Sequence, residues 1–352
     1  MELQGQISLA LLTTLGLGGR AEFFADITSV AELSKLRDYS LKRGLPLTVL
    51  GGGSNALIPD EGVGGVVFRF GARSLNVVSD LKDRVIIDVG AGLSWDSFVA
   101  WSVDRGLWGL ECLSGIPGWV GASPIQNIGA YGVELGDVLE SVELFDMRKG
   151  ALLRLQADAL GLGYRESHLK RAWRGRYVVV SIRVSLSKVA RPRLGYKDLS
   201  DLANRDESPG LQEIRSRVLA VRAAKSMLAD PSDPNAQSLG SFFVNPVVDG
   251  TSLERIEAVA VERALGAVPK HSVGGGWKVP AAWLIERSGF TRGTQAGRVG
   301  ISTKHALALI HLGDGRTQEL LAFSEQIKDR CFETFGVRLE REPQPLESLS
   351  LE

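Results

Sequence analysis

Cysteine and histidine are scarce in this chain of 352 residues, and neither sign of charge is in excess. The two cysteines, Cys112 and Cys331, stand outside any CxxC spacing. Two thiols cannot complete a tetrahedral zinc site without histidines, and His168, His271 and His311 show no ligand spacing, so no metal is expected. Isolated thiols of this kind read as reduced side chains in or near the core, which fits a cytoplasmic setting. Lys plus Arg (41) balances Asp plus Glu (41), leaving no basic field to drive nucleic-acid binding; an anionic ligand must be held by local positive groups. No apolar run approaches the roughly 18 residues of a membrane span. The first ten residues carry Glu2 and no basic stretch, so they do not read as a secretory leader. A monomer is the default expectation.

What is present suffices for a folded core. Hydrophobic residues make up 44%, and the length suggests two or three domains. Ser29 and Glu32 form a capping-box pattern ahead of Val30, Leu33 and Leu36, with Gly44 as the stop. Residues 47–50 read as a short strand running into three glycines. Residues 66–68, 85–89, 142–145 and 177–184 read as further strands. Ser94 is predicted to cap a helix through Trp95, Phe98 and Val99 toward Gly106. Pro209 is predicted to open a helix with the stripe Leu211, Ile214, Val218 and Val221. After a Pro/Asp/Ser-rich loop at 228–240, Thr251 and Glu254 make a second capping-box pattern, and Pro280 opens a helix that Gly289 stops. Leu320, Ile327, Cys331 and Phe335 form the stripe of a last helix ending at Gly336, which makes Cys331 a core residue. The pattern is α+β, in two modules followed by a tail.

Two segments carry chemistry. Gly51, Gly52, Gly53, Ser54 and Asn55 follow a strand; consecutive glycines let backbone N–H groups crowd around an anion without Cβ interference. The spacing is neither that of a P-loop nor that of the dinucleotide fingerprint. Residues 113–132 hold five glycines and two prolines, yet Ile116, Val120, Ile125 and Ile128 make the segment too apolar for a solvated linker. An ordered loop lining a cavity is expected, close to a flat ring system and hydrogen-bonded through Ser114, Gln126 and Asn127.

Taken together, GGGSN at 51–55 and SGIPGWVGASPIQNIGAYG at 114–132 resemble the flavin-binding domain of the vanillyl-alcohol-oxidase/PCMH superfamily, and specifically the MurB family of UDP-N-acetylenolpyruvoylglucosamine reductases. GYRES at 163–167, GSFFVNP at 240–246, AAWLI at 281–285 and FGVRLE at 335–340 follow in the family's order, so the resemblance spans nearly the whole chain. It implies a two-subdomain PCMH-type FAD-binding domain (residues 1–72 and 73–220), a smaller α+β substrate-binding domain (221–336), and a tail (337–352) carrying a catalytic carboxyl back to the flavin. It implies non-covalent FAD held by residues 51–55 together with Ser114, Gly115, Ile116, Pro117, Gly118, Gly121, Ala122, Gln126, Asn127, Gly129 and Ala130. NADPH is the implied hydride donor, and the enolpyruvyl ether of UDP-N-acetylglucosamine the acceptor, in peptidoglycan synthesis.

By the same resemblance, Arg165 stabilises the negative charge that develops on the enolpyruvyl group, Ser241 donates the proton, and Glu342 is a third catalytic residue. A guanidinium suits the first role because it grips a planar carboxylate bidentately. Tyr164, Tyr196, Lys225, Asn245 and His305 match substrate-binding positions, Tyr196 on a loop that closes over the nucleotide sugar. One departure stands out: Gln344 replaces an arginine that the family often carries, and Arg341 is the nearby cation that could substitute. Two other readings fit parts of the sequence. One is a flavin oxidase or dehydrogenase of the same superfamily acting on an alcohol or hydroxy acid. The other is a non-catalytic flavin- or nucleotide-sugar-binding protein.

Overall fold

The computed structural model describes residues 1–351. Its N-terminal part holds Gln4–Ser8 (β1), Arg20–Ile27 (β2), Val30–Arg43 (α1), Leu47–Val49 (β3), Ala56–Leu57 (β4) and Val63–Phe70 (β5). Four of these strands form a sheet ordered β1-β2-β5-β3, with β5 parallel to both β2 and β3. Helix α1 starts where Ser29 Oγ accepts from the Glu32 N–H at 3.2 Å, while the Glu32 carboxylate accepts from the Thr28 N–H at 3.0 Å. A cap of this kind is worth about 1 kcal/mol. The helix ends at Gly44, at φ 63°. Strand β2 carries no clear strand signal in its residues, because its buried and exposed positions alternate only in part.

The second sheet is antiparallel: Leu75–Asp80 (β6), Arg84–Gly90 (β7), Leu139–Asp146 (β8), Ala151–Gln156 (β9) and Tyr177–Ser187 (β10), in the order β9-β8-β10-β7-β6. Trp95–Asp104 (α2) and Leu211–Ala224 (α3) pack against it, burying Trp95, Phe98, Ile214 and Val218. Val178, Val180 and Phe145 face the other way and close against α1 and β5, so the first two sheets share a core.

The third unit contains Ser238–Ser241 (β11), Gly250–Glu262 (α4), Ala281–Arg287 (α5), Gln295–Ala296 (β12), Val299–Ile301 (β13), Ala308–His311 (β14) and Thr317–Phe335 (α6). Its sheet runs β11-β14-β13-β12. The start of helix α4 differs from the sequence pattern. Helix α4 is capped by Asp249, which accepts from the Ser252 N–H at 2.7 Å; Thr251 lies inside the helix. At the start of helix α6, Glu319 accepts from the Arg316 N–H at 3.0 Å, but the first helical N–H groups find no side-chain acceptor in the helix's own flank. Instead, the Asp60 carboxylate from the first unit accepts from the Thr317 and Gln318 N–H groups at 2.8 and 2.9 Å, placing negative charge on the positive end of the helix. Leu15, Leu17 and Leu57 enter the third core, tying it to the first unit. The tail then returns: Gln344–Pro345 (β15) pairs in parallel with β4, and Leu349 packs into the core shared by the first two sheets. The α+β class expected from the sequence holds. Among the described residues, no helix is long and apolar enough to cross a membrane.

Candidate active site

Residues of all three units line one cavity of about 410 Å³. Its floor is made by two glycine loops in backbone contact. A Cβ on Gly52 would lie 2.8 Å from Gly118 Cα, and one on Gly53, at φ +68°, would lie 2.0 Å from the Leu12 carbonyl oxygen. Ser54 Oγ donates to the Pro117 carbonyl at 3.0 Å and pins the loops together. Residues 51–55 line the cavity with Ile116, Pro117, Gly118, Gly121, Ala122, Gln126 and Gly129.

The other four expected cofactor residues build the wall from behind. Ser114 is fully buried and donates to the Glu111 carbonyl at 2.6 Å. The Gly115 N–H donates to Asp96. Asn127 is also buried; its amide donates to Glu134 and to the Gly163 carbonyl, and accepts from Gly136. Ala130 pairs with Val133 in a two-residue strand. Cys112 points away from the cavity toward the Arg193 carbonyl, and burial pushes its thiol up to about 12, so it is inert at neutral pH.

Arg165, Ser241 and Glu342 all line this cavity. Arg165 lies in a tight turn at φ +56°, where its Nη2 donates to the Gly129 carbonyl at 2.8 Å. Its Nε is 2.9 Å from Glu342 Oε1, but the N–H is not aligned on that oxygen, so charge rather than a good hydrogen bond holds the pair. The tail runs beside the strand end that carries Ser241: Val244 N–H donates to the Glu340 carbonyl and Glu342 N–H to the Phe242 carbonyl, both at 3.0 Å. One stretch of backbone pairing therefore sets Ser241 and Glu342 side by side. Gln126 donates to Glu342 Oε1 at 3.2 Å. Burial raises the Glu342 carboxyl above its ordinary range, against the pull of Arg165 and Lys170. Such a group can exchange a proton nearer neutral pH than a solvated glutamate.

None of the expected substrate residues lines the cavity wall; Tyr196, Lys225 and His305 gather around Asp198, and Tyr164 and Asn245 form a separate pair. Lys225 pairs with Asp198 at 2.5 Å. His305 accepts from the Leu307 N–H through Nδ1; burial and the nearby charge of Lys225 press its pKa down to about 4, so it is neutral at neutral pH. Tyr196 is half exposed and meets Tyr131 edge to face, with ring centroids 5.5 Å apart. Asn245 Oδ1 accepts from the Ala281 N–H at 2.9 Å and so caps α5, while its side chain also meets Tyr164. The Tyr164 ring meets both Lys278 Nζ (4.1 Å) and the Arg165 guanidinium (5.5 Å).

Gln344 lines the cavity, donating to the Glu342 carbonyl at 3.1 Å. Arg341 does not replace the family's arginine: its guanidinium faces Glu325 on α6 at 4.0 Å. Three cavity cations escaped the sequence reading: Arg222, Lys170 and Arg174, the last paired with Glu347 at 2.6 Å. Arg222 donates to the Met227 carbonyl at 2.7 Å but keeps a buried Nε without a partner. Its signal was a charge four residues after Val218, on the apolar stripe of α3. Lys170 is buried and sits in an aperiodic turn that offered no signal beyond nearness to Arg165.

Touching glycine loops, apolar walls and an unsatisfied buried guanidinium nitrogen fit a ligand with a pyrophosphate and a flat ring, as FAD has. The class is thus a flavoprotein with an FAD-binding domain and a smaller C-terminal α+β unit. The family described as "FAD binding domain" matches residues 21–156, and "UDP-N-acetylenolpyruvoylglucosamine reductase, C-terminal domain" matches residues 231–346. The reductase of that name from Thermobifida fusca is 42% identical over 348 residues, covering 96% of each chain. That from Pseudomonas aeruginosa is 37% identical, covering 97% of this chain and 98% of its own. The crystal structure of the reductase from Thermus caldophilus superposes over 99% of this chain and 100% of its own, with TM-score 0.66 at 27% identity. The chain belongs to the UDP-N-acetylenolpyruvoylglucosamine reductase family.

Proposed function

We propose that this chain uses NADPH and FAD to reduce the enolpyruvyl ether of UDP-N-acetylglucosamine, giving UDP-N-acetylmuramate. The observation that carries this reading is the meeting of Arg165, Ser241 and Glu342, from three distant segments, at one glycine-floored cavity. When bound, FAD supplies two-electron hydride transfer from NADPH to the enolpyruvyl β-carbon. The glycine loops and Arg222 hold its pyrophosphate. Arg165 grips the enolpyruvyl carboxylate and stabilises the negative charge that builds there. Ser241 donates the proton to the α-carbon; no described side chain occupies its hydroxyl. Glu342, its carboxyl raised by burial, shares that proton and orients Arg165. Tyr196, Lys225 and His305, gathered around Asp198 outside the cavity wall, hold the nucleotide diphosphate in this reading.

The test separates the two half-reactions. In Ser241→Ala, flavin bleaching by NADPH should survive, while reoxidation by UDP-N-acetylglucosamine enolpyruvate slows by several orders of magnitude. Equal loss of both steps would reject the proton-donor role, since that role belongs to the second transition state alone. A purified protein that takes up no FAD would overturn the whole reading.

A further inference from the structure

Lys170 is 6% exposed, yet no carboxylate among the described residues lies within 4.0 Å of its ammonium. Buried lysines are costly and are normally paired. Among the described residues, the one hydrogen bond of Nζ goes to the Arg165 carbonyl, at 2.8 Å. That carbonyl belongs to a non-glycine residue at φ +56°, a conformation that costs on the order of 1 kcal/mol. The turn is anchored from below. The Lys170 N–H donates to Ser167 Oγ at 3.1 Å, and Ser167 Oγ donates to the Ile125 carbonyl in the glycine loop at 2.5 Å. Lys170 also lines the cavity and acts electrostatically on Glu342.

We propose that Lys170 is a positioning residue of the active site: its ammonium locks Arg165 in the left-handed turn and leaves the Arg165–Glu342–Lys170 cluster net positive. Without that bond, the Arg165 backbone relaxes toward the right-handed region and swings the guanidinium away from Gly129 and Glu342. Without that charge, an ionised Glu342 cancels Arg165, and the cluster presents no net positive charge to an incoming carboxylate. The charged and titratable groups facing Glu342 are Arg165, Lys170 and Tyr164; Gln126 is its neutral neighbour. This inference rests on the proposed roles of Arg165 and Glu342, but it has a readout that needs no turnover.

The experiment compares FAD-loaded wild type, Lys170→Met and Lys170→Arg by infrared pH titration, with Glu342→Gln identifying the Glu342 carboxyl band. Lys170→Met should move the Glu342 midpoint upward by about half a pH unit or more, as loss of a nearby positive charge requires. Lys170→Arg, which keeps charge and donors, should restore the midpoint. In stopped flow, Lys170→Met should slow reoxidation by the enolpyruvyl substrate at least tenfold, leave reduction by NADPH near wild type, and be partly rescued in Lys170→Arg. An unmoved midpoint in Lys170→Met overturns the proposal, whatever the wild type catalyses. Equal slowing of both half-reactions with a lowered melting temperature also overturns it, by assigning Lys170 a purely structural part. If wild type oxidises no NADPH, the reductase reading falls, and the titration still decides whether Lys170 sets the charge of this cluster.

Discussion

The glycine loops at 51–55 and 114–130 and the cluster of Arg165, Ser241 and Glu342 line the same cavity, but the chain assembles them by different means. Each loop is a contiguous run whose shape follows from residue type. Gly53 must be glycine because the Leu12 carbonyl occupies the place of a Cβ, and Gly52 because the Gly118 backbone does. The cluster has no such local cause. Arg165 is set by a strained turn, Ser241 by the end of a strand, and Glu342 by a tail that pairs with residues 242–244 and then continues to β4. Loop geometry should therefore resist distant change and fail at single glycines, while the cluster should fail whenever any of its three carriers shifts.

The largest effect is expected at the rigid end. Gly53→Ala meets both a left-handed backbone and a carbonyl 2.0 Å away, a cost on the order of 2–4 kcal/mol. It should lose most bound flavin, read as the flavin-to-protein absorbance ratio, and melt earlier. Full flavin content in this variant would show that the loop is pliable and erase the contrast.

Glu342→Gln tests the other end and should split activity from stability. Reoxidation by substrate should slow by roughly 10²–10³-fold if the carboxyl moves a proton. The folded state holds that proton more tightly than the unfolded chain, because burial raises the carboxyl above its usual 4.5. The neutral form is thus favoured by folding below pH 4.5, and that advantage is lost as pH rises through the raised folded value. Glu342→Gln should therefore melt higher than wild type at pH 8, with the gap closing toward pH 4. A gap that widens in acid would mean that Arg165 outweighs burial.

The smallest effect is expected at His305. Its pKa of about 4 keeps it neutral throughout the neutral range, so His305→Gln should change substrate-dependent turnover less than tenfold and leave the pH–rate profile between 6 and 8 in place. Its trace should appear in stability. The folded state resists protonation of this ring, so wild type loses stability as pH falls from 6.5 through 4, and the variant should lose less. A rate limb near pH 6.5 that vanishes in His305→Gln would move this residue into the chemistry.

Much of this was legible from residues alone. The stripe Leu320, Ile327, Cys331, Phe335 folds as the buried face of α6, and Gly44 and Gly336 stop their helices with left-handed backbones. These are local matters of period and backbone freedom. The misses share the opposite cause. The true cap of α4 is Asp249, since the capping pattern at Thr251 was one choice among neighbours that only packing resolves. Arg341 looked like a substitute for a missing arginine until the tail's pairing turned it toward Glu325. Arg222 and Lys170 were passed over because a cation's value depends on what is left unpaired around it.

The sequence by itself determined that two glycine-rich loops would form and what kind of ligand they suit, because glycine's missing Cβ acts where it stands. It also marked Arg165, Ser241 and Glu342 through motif order. Only the tertiary structure decided that Glu342 is buried beside Arg165, that Asn245 is occupied in capping α5, and that a buried lysine sets the turn beneath the guanidinium. Burial and pairing are properties of neighbours brought together by the fold, and they govern charge far more strongly than residue type does.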